Sequence, residues 1–436
     1  MNKSVIVKSL IAAVCLAATV GAHDYVPGGP QTQPILLKGG DLYTVTNGVL
    51  ATTDLLFENG RITQIGVDIA APDNTIVIDC SGKRIYPGLI DAATSLGLIE
   101  IEAARATNDQ AERERIAPEV LAQTAYNPDS EILPTVRSNG ITTALVVPGG
   151  SLIQGRSSLM NLDGWTREDA AELPVAAVHI AWPRTRIVNA WWMQQSAEEQ
   201  QKENAKNRAE LDDAFADARA YYDARKADPS IPRDLRWEAM IPVFDRRLPV
   251  IIFANDYRQI EQAVAFAEKW KLRCVIAGGN EAFRALDLLK QHDVPVIIQR
   301  VLDLPPKQDD AYDAAFTLPR QLQEAGVPFA IASFASWGSR NLPFQAGMAK
   351  AFGLSEADAI RSITLGPAQI LGVDSALGSL EVGKKATLIV TRGDILDMIS
   401  HGVEMMFIEG RTVDLNNRHR ELYEKYRQKR WTSPGK

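Results

Sequence analysis

From Pro34 to Cys80 the chain alternates apolar and polar residues in short runs, ILLKGGDLYTV, TTDLLFENGRITQIG and NTIVIDC, broken by Gly-Gly, Asn-Gly and Asp-Asn. Period-two alternation between turn residues predicts β-strands, and Asn59-Gly60 predicts a tight hairpin. The same texture returns after Gly378 in GSLEVGKKATLIVTRGD and VEMMFIEGRTV. Neither end holds enough strands for a stable sheet, so residues 34–84 and 371–413 are expected to form one small β-sandwich together.

Between these ends the pattern changes. Near-continuous apolar runs recur: RIYPGLIDA, ITTALVVPG, RSSLMNL, PVAAVHIAW, PVIIFAN, RCVIAGG, PVIIQRV and PFAIASF. Several are followed by helical stretches such as RQIEQAVAFAEKWK and NEAFRALDLLKQHD. Strands buried on both faces and alternating with helices predict an α/β chain with a TIM-like (β/α)8 barrel over residues 85–370. A doubly wound open sheet is the alternative. Two long charged excursions, Leu98–Asp129 and Gln194–Asp228, follow strand C-terminal ends, the face where barrels carry their sites.

Composition narrows the function. With a net charge of −7, the chain has no broad basic face for nucleic acid. Only the tail 414–436 is basic, and it is expected to be a solvated helix. Lys3 and Lys8 precede the apolar SLIAAVCLAATV, and Val20 and Ala22 are small residues before a cut at Ala22–His23. Residues 1–22 therefore read as a signal peptide of an exported, periplasmic bacterial protein. Val14 fits poorly before a lipoprotein Cys15, and no membrane-spanning run remains after cleavage. Cys80 and Cys274 belong to no CxxC pair and are expected to be separate buried thiols, with a bridge between them in an oxidising compartment as the alternative.

The barrel's strand tips carry Thr94, Ser95, Asn255, Arg300 and Ser333, a set rich in hydroxyl and amide groups. Arg300 suits an anionic ligand or an ion pair with a loop carboxylate. Of five histidines, only His179 sits on a predicted barrel strand, where a satisfied core residue is the commoner role than a catalyst. No phosphate loop or nucleophile elbow is present.

The opening ILLKGGDLYTVTNGVLATTDLLFENGRITQIG with VIDCSGKRIYPGLIDA resembles the amidohydrolase superfamily, especially its imidazolonepropionase-like and prolidase-like branches. So does the far end, RNLPFQAGMAKAFGLSEADAIRSITLGPAQILGVDSALGSLEVGKKATLIV. The resemblance implies a barrel with a split sandwich and hydrolysis of C–N bonds, often cyclic amides, by zinc-activated water. It also implies metal ligands where this chain has Ala93, Ser95, Phe253, Gly278 and Phe334. None of these side chains is a zinc donor of the usual kind. No cofactor is therefore expected. Three roles follow: a degenerate relative binding a small amide or peptide-like molecule, a hydrolase with an atypical metal-free site, or a non-catalytic subunit of a catalytic relative. Homo-oligomers or hetero-oligomers with such a relative are the expected assemblies.

Overall fold

The computed structural model describes residues 25–432 except 306 and 308. The predicted signal peptide 1–22, with Cys15, and His23 lie outside the described residues.

Five strands open the chain: β1 (Ile35–Tyr43), β2 (Val49–Glu58), β3 (Arg61–Gly66), β4 (Ile76–Asp79) and β5 (Arg84–Pro87). The β2–β3 hairpin turns through Asn59 and Gly60, both left-handed at φ 50° and 74°, as a type I′ turn requires. Eight barrel strands follow: β6 (Leu89–Thr94), β7 (Ile141–Val146), β8 (Ile153–Asn161), β9 (Ala171–Ala181), β10 (Val250–Ala254), β11 (Cys274–Gly278), β12 (Val296–Gln299) and β13 (Phe329–Ala332). The chain then returns with β14 (Leu388–Thr391), β15 (Val403–Ile408) and β16 (Arg411–Thr412) to the first sheet. The junction is β5 against β14, antiparallel, with Tyr86 opposite Ile389.

The run RIYPGLIDA reads as one strand in the sequence, but Gly88 divides it between the two sheets. A Cβ at Gly88 would lie 2.2 Å from the Thr142 hydroxyl, so only glycine lets the chain cross here. Upstream of it β5 joins the sheet made from both chain ends, which is one sheet of eight strands, and downstream β6 opens the barrel.

The barrel is nearly closed, with its strands in chain order around the sheet. One strand departs from the expected parallel arrangement: β8, the RSSLMNL run, is antiparallel to both β7 and β9. Residues 147–152 and 162–170 are its only connections, too short for a crossover and suited to hairpins. Strand alternation sorts the side chains. Leu145, Leu159, Ala177, Ile251, Val275 and Ile297 fill the interior, while Val178, Ile180, Ile252 and Ile276 pack outward under the helices.

The seam between β6 and β13 lacks a strand ladder and is closed by other groups. Toward the strands' N-terminal ends, Ile90 N–H donates to Ile363 O (2.8 Å) and Ile331 N–H to Ser362 O (3.0 Å). Toward their C-terminal ends, Phe334 N–H donates to Ala93 O (2.8 Å) and the Thr94 hydroxyl to Ala335 O (2.7 Å).

The second excursion forms the helix Ala197–Ala227, which buries Leu211, Ala214, Phe215 and Ala218 at helical spacing and Gln200 near its start. Ser196 and Glu199 form a reciprocal capping box at its start. Ser196→Ala is expected to cost about 1 kcal/mol of helix stability, read as a drop in urea midpoint; an unchanged midpoint would show that the cap is idle. The basic tail contributes the helix Arg418–Thr432. Cys80 and Cys274 are both buried free thiols, and burial pushes them up to about 11 and about 12 respectively.

Candidate active site at the barrel mouth

The C-terminal ends of β10, β11 and β13 bring three of the singled-out residues together. The rings of Phe253 and Phe334 lie 5.9 Å apart. A Cβ on Gly278 would stand 3.3 Å from the Phe253 ring. Ala93 adjoins Phe334 through the seam hydrogen bond, and the buried Ser95 follows two residues on. These positions therefore share one end of the barrel. Their side chains are a methyl, a hydroxyl, two phenyl rings and a hydrogen. They do not fit zinc, which takes imidazole, thiolate or carboxylate. Among the described residues, no three His, Cys, Asp or Glu side chains stand together as a metal-holding group.

The strand tips leave this mouth in unusual conformations. Gly278, Arg300 and Phe334 have φ of 93°, 34° and 51°. For the two non-glycine residues this left-handed backbone is strained, and such strain clusters at functional sites. Gly278 is required twice over, since a Cβ there would also meet Asn255 Oδ1 at 2.3 Å.

The other candidates divide into two groups. Asn255 Oδ1 is buried beside Gly278 without a hydrogen-bond partner. His179 pairs in register with Ile251, two residues below Phe253 along the strand direction, on the face that fills the barrel. It is buried with Nε2 unpartnered, and desolvation pushes its pKa down to about 3, so it is neutral at ordinary pH. Of these two orphaned polar atoms, Asn255 Oδ1 shares the approach to Gly278 with the Phe253 ring. Thr94 and Ser333 are instead turned into the seam. Arg300 is half exposed with its nearest carboxylate, Asp303, at 4.0 Å. It is not drawn into the Phe253–Phe334 cluster.

Two groups that the sequence reading passed over organise this end. Asp91, fully buried on β6, accepts from Ser333 N–H (3.0 Å), Ser333 Oγ (2.5 Å) and Ser339 Oγ (2.5 Å). Burial pushes its pKa up, and the serine donors pull it back, leaving it at about 6. Its signal was present: a carboxylate inside the apolar run LIDAAT is seldom buried without partners. Glu281, just past β11, is almost fully buried and accepts from both Arg186 (2.6 and 2.7 Å) and Tyr257 N–H (3.0 Å), with Lys307 alongside. Burial pushes the Glu281 pKa up, but these partners outweigh it and hold it at about 2. Arg186 belongs to the loop after β9 and Lys307 to the loop after β12, so one carboxylate ties three mouth loops together.

Comparison with known proteins agrees with this architecture. The amidohydrolase family model matches residues 285–413. The chain is 22% identical over 398 residues to the amidohydrolase tasK of Hapsidospora irregularis, covering 82% of this chain and 39% of that protein. It is 40% identical over 57 residues to the dihydroorotase of Citrifermentans bemidjiense, 13% of each chain. It thus spans well under half the length of these curated relatives. The solved amidohydrolase of Thermotoga maritima MSB8 superposes with a TM-score of 0.78 at 24% identity, covering 87% of this chain and 99% of that one. The amidohydrolase family match thus spans the last barrel strands and the returning strands, and the barrel joined to a sheet made from both chain ends has the fold of the solved amidohydrolase.

Proposed function

We propose that this chain is an exported member of the amidohydrolase superfamily that binds a small amide or peptide-like molecule at the barrel mouth without metal-dependent hydrolysis. The observation that carries this reading is the convergence of Ala93, Phe253, Gly278 and Phe334, none of which can donate to zinc. Phenyl rings at such positions exclude the water and ions that metal-assisted attack on a carbonyl requires. The neighbouring orphan acceptor, Asn255 Oδ1, suits the N–H group of an amide.

Metal-free hydrolysis around the serines is the weaker reading. Ser333 is fully buried with its hydroxyl engaged by Asp91, so it is withheld from a substrate. Service as a non-catalytic subunit of a catalytic relative is a further reading, tested by co-purification from the native host. Export rests on the leader-like residues 1–22, and no described helix is long and apolar enough to cross a membrane.

Elemental analysis of protein purified from zinc-supplemented medium tests the central proposal. The expected content is below about 0.1 zinc per chain, and a value near one would overturn the proposal. Dipeptides, N-acyl amino acids and cyclic amides are expected to remain intact over hours in its presence. Turnover that a chelator abolishes would count against it equally.

A further inference from the structure

The opposite face of the barrel carries a feature unrelated to the mouth. A cavity of about 550 Å³ opens at the N-terminal ends of β11 and β12, lined there by Cys274, Val275 and Pro295. Its size falls within the range of small-molecule sites, roughly 300–1,000 Å³. Val264, Leu272 and Ile370 supply apolar wall, and three cationic residues, Arg246, Lys271 and Arg273, also line it.

These cations are poorly satisfied within the protein. Among the described residues neither Arg246 nor Lys271 has a carboxylate within 4.0 Å, and Arg273 makes a single hydrogen bond, to Ile370 O (3.3 Å). Two carboxylates also line the cavity, Glu268 and Asp293. Glu268 is engaged by His292 Nδ1 at 2.7 Å. The backbone makes the placement more telling. Arg246 and Lys271 both sit in left-handed conformation, φ 59° and 56°, where glycine is free of strain and a side chain is not. Lys271 ends the helix Tyr257–Trp270 at the position that glycine most often takes. The chain thus holds two charged side chains at strained positions, without a carboxylate partner among the described residues, on the wall of one cavity.

We propose that this cavity binds a small organic anion, with an apolar body against Val264, Leu272 and Ile370 and a phosphate or carboxylate head between Arg246, Lys271 and Arg273. Guanidinium and ammonium groups bind such heads by charge-assisted hydrogen bonds. The proposal is independent of what the mouth binds.

Calorimetric titration of the purified protein with phenyl phosphate, benzoate and the neutral benzyl alcohol tests it. At least one anion is expected to bind, weaker as salt rises, while benzyl alcohol does not; the ranking of the two anions identifies the natural head group. Lys271→Gly and Arg246→Gly remove charge at positions where glycine is conformationally preferred, so both variants are expected to fold with undiminished melting temperature. Each is expected to weaken anion binding by about tenfold. Silence of wild-type protein toward both anions, benzyl alcohol binding as tightly as the anions, or undiminished affinity in both glycine variants would each overturn the proposal.

Discussion

Asp91→Ala is expected to destabilise the protein by about 3–5 kcal/mol, because it strips the acceptor from three buried donors, of which the Ser333 hydroxyl keeps a second acceptor in Ala335 O at 3.1 Å. Ser333 N–H, Ser333 Oγ and Ser339 Oγ all converge on this one carboxyl group. They also close the part of the β6–β13 seam that no strand ladder covers, so their loss opens the barrel beside Ala93 and Phe334. Asp91→Asn keeps one acceptor and should lose less. It also removes a titration. Burial raises the Asp91 pKa from 3.8 to about 6, so the folded protein holds this proton more tightly than the unfolded chain does. The stability it contributes is full below about pH 4 and is lost as pH rises through about 6, amounting to roughly 3 kcal/mol. Urea unfolding at pH 4 and pH 7 should show wild type losing that much relative to Asp91→Asn. A difference that does not change with pH would show that the carboxyl group does not titrate in this window.

Arg137→Ala is expected to cost a similar amount, about 3–5 kcal/mol, at the other junction of the molecule. Arg137 and Asp163 are both fully buried, with Nη1 donating to Asp163 Oδ1 at 3.0 Å and to Leu162 O at 3.0 Å. Arg411, from β16 at the edge of the sheet made from both chain ends, donates to the other carboxylate oxygen at 3.0 Å. The Tyr25 ring stacks on the Arg137 guanidinium, 3.9 Å from Cζ to centroid. Removing Arg137 leaves Asp163 buried with half its compensation. The pair is nonetheless imperfect, since Arg137 Nε and Nη2 are buried without acceptors, and burial lowers the Arg137 pKa to about 10. Replacing the pair with Arg137→Met and Asp163→Leu together should therefore recover part of the loss, the remainder reflecting Arg411 and Gly28 N–H, which lose their acceptor on Asp163. Chemical unfolding of both single variants and the double variant checks this. A double variant as unstable as the sum of the singles would show that the buried charges themselves stabilise the junction.

Hydrophobic periodicity made the barrel legible, because all eight apolar runs become its strands. Strand direction was not carried by that signal, since alternation reads the same both ways along a chain. The short links around RSSLMNL did carry it, as connections of six and nine residues cannot make parallel crossovers. The absence of histidines from PGLIDAATSLG was visible at once, whereas the work done by the aspartate in the same segment was not. Asp91's partners lie 242 and 248 residues away, and only folding reveals them. The same distance in sequence hid the tie between Arg186 and Glu281, 95 residues apart. Asn255 and His179 were legible as residues, but their lack of partners is a property of packing alone.

A sheet assembled from both ends of a chain sets an order of events during synthesis. The edge of β5 finds its partner, β14, only when residues 388–391 have emerged, some three hundred residues later. Until then Ile85 and Tyr86 lie on an open strand edge, of the kind that recruits other chains. The hairpins β7–β8–β9 need no such wait, since their contacts are local and rapidly formed. Nascent chains should thus be most prone to aggregation after the barrel has formed and before the last strands arrive. Truncation anywhere before Leu388 would make that vulnerable interval permanent.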